Sequence, residues 1–103
     1  MKYTSEDKLW SKQVRERDKL QCVICNNTER LNAHHLFPRE ISELRHDIDN
    51  GISLCPKHHR FSRILSAHQN PIAFYHWMEN NRAEQLIKIM MKWARLKNEI
   101  EMG

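Results

Sequence analysis

Seven of the cysteines and histidines between positions 22 and 59, side chains that bind metals or move protons, are paired or closely spaced: Cys22, Cys25, His34, His35, Cys55, His58 and His59. Cys22-Val-Ile-Cys25-Asn-Asn reads as a knuckle, in which two thiolates converge on one ion and Asn26–Asn27 reverse the chain. A redox Cys-x-x-Cys would want a following helix inside a βαβ pattern, and neither is present. Cys55-x-x-His58 has the spacing that brings a strand-end ligand and a first-turn helix ligand to one ion. Cys22, Cys25, Cys55 and His58 therefore make a closed Cys₃His tetrahedron suited to structural Zn²⁺. The next residue, His59, points about 100° further round a helix and is free to face a second site with His34 and His35. Hydrolysis of a phosphodiester needs a basic water, a cation and donors that hold the backbone. Neutral imidazole serves as base or as metal ligand, so a His-His pair supplies one of each. His46, His68 and His76 stand alone and read as structural histidines.

The chain that must position these groups is short. Its 103 residues amount to one small domain, a size at which an extra staple such as a metal is common. A net charge of +4 and a pI near 9.2 favour a polyanionic partner without requiring one. Three cysteines, an odd number, argue for thiolate ligation in a reducing compartment and against a disulfide framework. The N-terminal MKYTSEDKLWSKQ lacks the apolar run of a signal peptide, and no stretch approaches the ~20 apolar residues of a membrane span. A soluble, cytoplasmic protein is the expectation. There is no internal repeat or low-complexity segment.

The first element expected is a basic helix from Thr4 to about Lys19. Thr4-x-x-Asp7 forms a capping box and Leu9, Trp10, Val14 and Arg17 recur at helical spacing. Lys8, Lys12, Arg15, Arg17 and Lys19 make a solvated face or a phosphate-contacting one. Leu31 to Leu36 reads as a strand ended by Pro38, with His34 and His35 on opposite faces. Residues 39–49 form a loop or short helix, Asn50–Gly51 a hairpin-type turn, and Ile52–Leu54 a second strand. Pro56 opens a helix carrying Lys57, His58, His59, Arg60, Arg63 and Ile64. Asn70–Pro71 caps a further helix, and Asn81-x-x-Glu84 resembles a second capping box. Leu86, Ile89, Met90, Trp93, Leu96 and Ile100 make an apolar stripe. The stripe is expected to pack on the first helix and Trp10, or alternatively to form a homodimer contact.

Taken together, CVIC, NAHHLFPR and DNGISLCPKHH resemble the HNH endonucleases, more closely the small phage-type members, over about Arg15 to Phe61. The resemblance implies an α+β, mostly helical chain built on a ββα-metal, treble-clef-like core. Basic N-terminal helix 1–20, core 21–66 and C-terminal helices 70–101 would then form one nuclease domain. It implies that His35 is the general base, that His34 and His59 hold a catalytic Mg²⁺, Mn²⁺, Ni²⁺ or Zn²⁺, and that Asn50 orients the base. It implies DNA cleavage to 3′-OH and 5′-phosphate ends, in a bacterial or phage-infected cell. Lys57, Arg60, Arg63, Arg15 and Lys19 are the candidate DNA contacts.

Two departures from the family pattern stand out. His58 replaces a fourth zinc cysteine, and Arg63 stands where some members have a further metal-binding histidine. The alternatives from the residues themselves are a non-catalytic zinc module for nucleic acid or protein, and a purely structural zinc protein.

Overall fold

The computed structural model describes residues 2–102. Helix α1 (Ser5–Arg17) starts where the sequence says it should. The Asp7 N–H donates to Thr4 Oγ1 (3.1 Å) and the Thr4 N–H donates to Asp7 Oδ2 (2.7 Å), a closed capping box. Lys19 (φ 62°) and Leu20 (φ 54°) then turn the chain out of the helix through the left-handed region. Leu20 to Ile24 is β-prone in composition, but it forms no strand because this reversal feeds directly into the Cys22–Cys25 loop. Asn26 also has a left-handed φ (66°), which asparagine tolerates, and its N–H donates to the Cys22 carbonyl (2.8 Å).

Strands β1 (Asn32–His35) and β2 (Gly51–Leu54) pair antiparallel, with His34 opposite Ile52 and His35 opposite Gly51. Asn50–Gly51 is not the tight turn of this hairpin. Asn50 closes a 3₁₀ turn (Ile48–Asn50), and Gly51 opens β2 in an extended conformation. Here the glycine answers to space, not to turn geometry. A Cβ on Gly51 would lie 2.5 Å from Trp10 Cζ2 and 2.6 Å from Val14 Cγ2. Residues 36–50 form the long connection, and the buried Asn50 holds it together. Its Oδ1 accepts from the Phe37 N–H (2.7 Å), and its Nδ2 donates to the Phe37 (3.1 Å) and Leu44 (3.0 Å) carbonyls.

After Pro56 comes one wide turn, Lys57–Phe61, in which the Ser62 N–H donates to the Lys57 carbonyl (2.8 Å). This five-residue hydrogen-bond step is π-helical, a geometry frequent at functional sites. The helix expected to run on to Ile64 stops here. Ser62 is extended, and its Oγ accepts from the Ile64 and Leu65 N–H groups, starting a new turn. Helix α2 (Pro71–Asn81) begins at Asn70, whose side chain accepts from the Ala73 N–H (3.1 Å). The second capping box does not form. Asn81 Nδ2 donates backwards to the Trp77 carbonyl, and helix α3 (Ala83–Met102) follows almost directly.

The sheet is covered on both faces. His34 and Ile52 face α2 and α3, and the core there gathers Cys22, Ile52, Leu54, Cys55, Ala67, Phe74, Met78 and Leu86. His35 and Gly51 face α1, through Trp10 and Val14. The apolar stripe of α3 does not pack on α1 as expected. It lies over the 36–50 connection, where Trp93 stacks on Phe37 (5.6 Å, 12°). Lys92 there reaches Asp47 (2.8 Å) and Asp49 (3.1 Å), and Gln85 Nε2 donates to the Asp49 and Gly51 carbonyls. The sheet lies between α1 and this stripe. Asp18 ties the layers together by accepting from the Ser53 N–H, Arg17 and Arg82. Burial alone would raise the Asp18 pKa, but these donors and the two guanidinium charges bring it below the usual carboxylate value. Among the described residues, no helix is long and apolar enough to cross a membrane.

Candidate metal centres and catalytic groove

Cys22, Cys25, Cys55 and His58 place their ligand atoms within 4.8 Å of one another. Cys25 and Cys55 Sγ are 3.7 Å apart, far beyond a disulfide bond of about 2.05 Å. His58 Nδ1 lies 3.5 Å from Cys55 Sγ and 3.8 Å from Cys22 Sγ. Bonds of about 2.3 Å to sulfur and 2.0–2.1 Å to nitrogen give tetrahedral edges of about 3.8 Å (S–S) and about 3.6 Å (S–N). The observed spacings fit one ion held by four ligands. Cys22, Cys55 and His58 are buried, and Cys25 is exposed. Burial would raise the Cys55 thiol pKa. The backbone of His58, the other two thiols and the backbone of Lys57 turn the net shift downward, toward the thiolate a metal needs. The geometry is that of a closed structural centre.

A second cluster joins His34, His59 and His68, whose ligand nitrogens also lie within 4.8 Å of one another. The rings meet edge to face: His34–His59 at 5.2 Å, His34–His68 at 5.1 Å and His59–His68 at 4.7 Å between centroids. His59 and His68 Nε2 are 3.2 Å apart. His34 comes from β1 and is backed by Phe74 of α2 (5.7 Å). His59 comes from the π turn, and its carbonyl accepts from the His68 N–H (3.0 Å). Burial, followed by the neighbouring imidazoles and Arg60, pushes His34 down to about 3. Burial, then His68 and Arg60, brings His59 to about 4, and burial with Arg60 also lowers His68. All three imidazoles are neutral near pH 7, the form in which they ligate metals.

His35 lies on the other face of β1. Its ring stacks on Trp10 (3.9 Å, 10°), and its Nε2 is 3.0 Å from the Arg45 carbonyl. A carbonyl only accepts, so Nε2 carries the proton and Nδ1 keeps a lone pair. Burial lowers the His35 pKa, against the pull of the Arg45 carbonyl and the Asp7 charge. Arg45 is itself anchored: its Nε donates to Asp7 Oδ1 (2.8 Å), to which His46 Nε2 also bonds (2.8 Å). These partners, Arg45 foremost, hold the buried Asp7 carboxyl well below the usual range. His34, His35, His59 and His68 all line one groove of about 720 Å³, together with Tyr3, Trp10, Arg39 and Arg60.

Residues 22–62 match the family model of the HNH endonucleases. The similarity to HNH endonucleases spans 41 of the chain's 103 residues. No curated protein and no solved structure matches the chain. The HNH segment contains every residue of the Cys₃His cluster and also His34, His35, Asn50 and His59. Among the groups it leaves out, Asp7, Trp10 and His68 meet its site in space.

Several sequence expectations meet this geometry differently. His58 and His59 do divide between the two clusters, and His34 and His35 do point to opposite faces. His68 is not a bystander, because the capped loop after Ser62 carries it back to His59. That loop has no helical period for a pattern to follow. Its visible signals were Ser62, Ser66 and Asn70, each of which fixes a local turn. Arg63 falls past the end of the π turn and does not line the groove, so it does not share a helix face with His59. Asn50 does not line the groove either, since its side chain is spent on the Phe37 and Leu44 backbone. Of the expected DNA contacts only Arg60 lines the groove, and Arg39, which sequence reasoning passed over, joins it. Lys57 is exposed but does not line the groove, Arg15 Nε donates to the Ser11 carbonyl, and Lys19 lines a separate depression with Asp18 and Arg82.

Proposed function

We propose that this protein is a metal-dependent HNH endonuclease that hydrolyses DNA phosphodiester bonds to 3′-OH and 5′-phosphate ends. The observation that carries the reading is His35, whose tautomer is set by the Arg45 carbonyl and which lines the groove that also holds the imidazole cluster. His35 is the general base, and Nδ1 takes the proton from the attacking water. His34 and His59 would hold a divalent cation, whose positive charge would stabilise the phosphate and the departing oxygen. Arg60 and Arg39 hold the DNA backbone along the groove, which gives steep salt dependence and weak sequence preference. Asn50 is a positioning residue. It binds the Leu44 carbonyl, one residue before the carbonyl that orients His35. The Cys₃His cluster takes Zn²⁺ and holds the turn that carries His58 and His59. The two strands followed by the π turn make the ββα-metal unit of the family.

Supercoiled plasmid incubated with Mg²⁺, Mn²⁺, Ni²⁺ or Zn²⁺ tests the proposal. Wild type nicks it with at least one metal, and His35→Ala loses roughly 10²–10⁴ in rate while keeping its fold. No nicking by wild type with any metal, or equal nicking by His35→Ala, leaves a non-catalytic zinc module as the better reading.

A further inference from the structure

We propose that His68 ligates the same ion as His34 and His59, making the groove centre a three-imidazole site for a borderline transition-metal ion such as Zn²⁺, Ni²⁺ or Co²⁺. The use of that ion in cleavage rests on the endonuclease reading, but its binding does not. His68 lies outside the HNH segment, so the third ligand comes from structure that this chain adds.

The first support is spacing. Two nitrogens bound to one ion at about 2.0–2.1 Å in a tetrahedron stand about 3.3 Å apart. His59 and His68 Nε2 stand 3.2 Å apart. An N–H···N hydrogen bond would account for that pair alone, but not for a third imidazole nitrogen within 4.8 Å of both. Interplanar angles of 66°, 80° and 67° show three rings meeting edge to face, so the group is not an aromatic stack.

The second support is the scaffold. His68 is exposed, and an exposed histidine without a role needs no fixed backbone. Here the Ala67 and His68 N–H groups donate to the His58 and His59 carbonyls (2.9 and 3.0 Å). The buried Ser66 donates its hydroxyl to the Ser62 carbonyl (2.7 Å) and accepts from the Gln69 N–H (3.1 Å). Residues on both sides of His68 are thus pinned against the turn that carries His59. An all-nitrogen donor set disfavours Mg²⁺, which prefers oxygen ligands, and suits borderline metals.

The test is calorimetric titration of the purified protein, zinc-loaded at its Cys₃His cluster, with Ni²⁺ or Co²⁺. Wild type, His68→Ala and His76→Ala are compared, and bound zinc and circular dichroism report the fold. His76 is exposed on α2 and belongs to neither cluster. Wild type and His76→Ala take up one further ion per chain, which excess Mg²⁺ does not displace. His68→Ala, with its zinc and fold retained, binds that ion at least about a hundredfold more weakly. Equal binding by His68→Ala and wild type, or no further ion in wild type, overturns the proposal. Plasmid cleavage is scored separately. Ion binding that depends on His68 in a protein that cuts no DNA upholds the ligand and removes the endonuclease reading.

Discussion

The two histidine-bearing clusters share a turn and a sheet, yet they are built on opposite plans. In the cysteine cluster three of the four side chains are buried, and the spacings fit a four-coordinate ion with no position to spare. In the imidazole cluster three neutral imidazoles stand on the wall of a groove, beside His35 and Arg60. The closed plan suits a staple and the open plan suits a reaction. What separates them is local backbone geometry. One residue of helical rotation parts His58 from His59, and one residue of strand pleat parts His34 from His35.

The largest expected effect falls on the closed side. Cys55→Ser removes a buried thiolate ligand, and zinc-driven folding of small sites is worth on the order of 10 kcal/mol. The variant is expected to lose zinc and cooperative thermal unfolding together. An unchanged melting transition would erase the contrast between staple and reaction centre.

Gly51→Ala gives a smaller effect, on the open side. The new Cβ meets Trp10 and Val14 inside contact distance, and Trp10 is the stacking partner of His35. Overpacking of this kind costs roughly 1–3 kcal/mol. The melting temperature should fall and nicking should slow, while bound zinc stays at the wild-type level. Unaltered nicking would show that the Trp10–His35 stack does not position the base.

Acid gives the smallest effect. His34 at about 3 and His59 at about 4 lie below their unfolded value of about 6.5. Between these limits the unfolded chain binds more protons than the folded one. The stability these neutral imidazoles contribute is therefore full above pH 6.5 and is lost as pH falls toward 3–4. Because acid also strips the cysteine cluster, the informative quantity is a difference. Between pH 7 and pH 5, His34→Leu should lose less stability than wild type in denaturant titrations. Identical losses would mean that the cluster is not held neutral.

Most of the side chains that gather in the two clusters were legible in the sequence because their placement depends on short-range geometry. Cys-x-x-Cys, Cys55-x-x-His58 and the paired histidines specify local directions, and Thr4-x-x-Asp7 and Asn70–Pro71 specify helix starts. The features that were not legible depend on tertiary contacts. Gly51 is there for the indole of Trp10, which a turn rule cannot see. Ser62 ends the turn early and leaves Arg63 outside it, and the loop it starts returns His68 to His59. The α3 stripe carries no mark of its partner, and Lys92 with Asp47 and Asp49 helps fix it over the long connection.

The central claim is that adjacent histidines serve different ions, and one side-by-side measurement tests it most directly. Tightly held zinc per chain and thermal midpoint are determined for His58→Ala and His59→Ala, with plasmid nicking as the functional readout. His59→Ala is predicted to keep its zinc and its melting transition and to lose nicking, while His58→Ala loses zinc and stability. Loss of the tightly held zinc in His59→Ala, or its full retention in His58→Ala, would contradict the account.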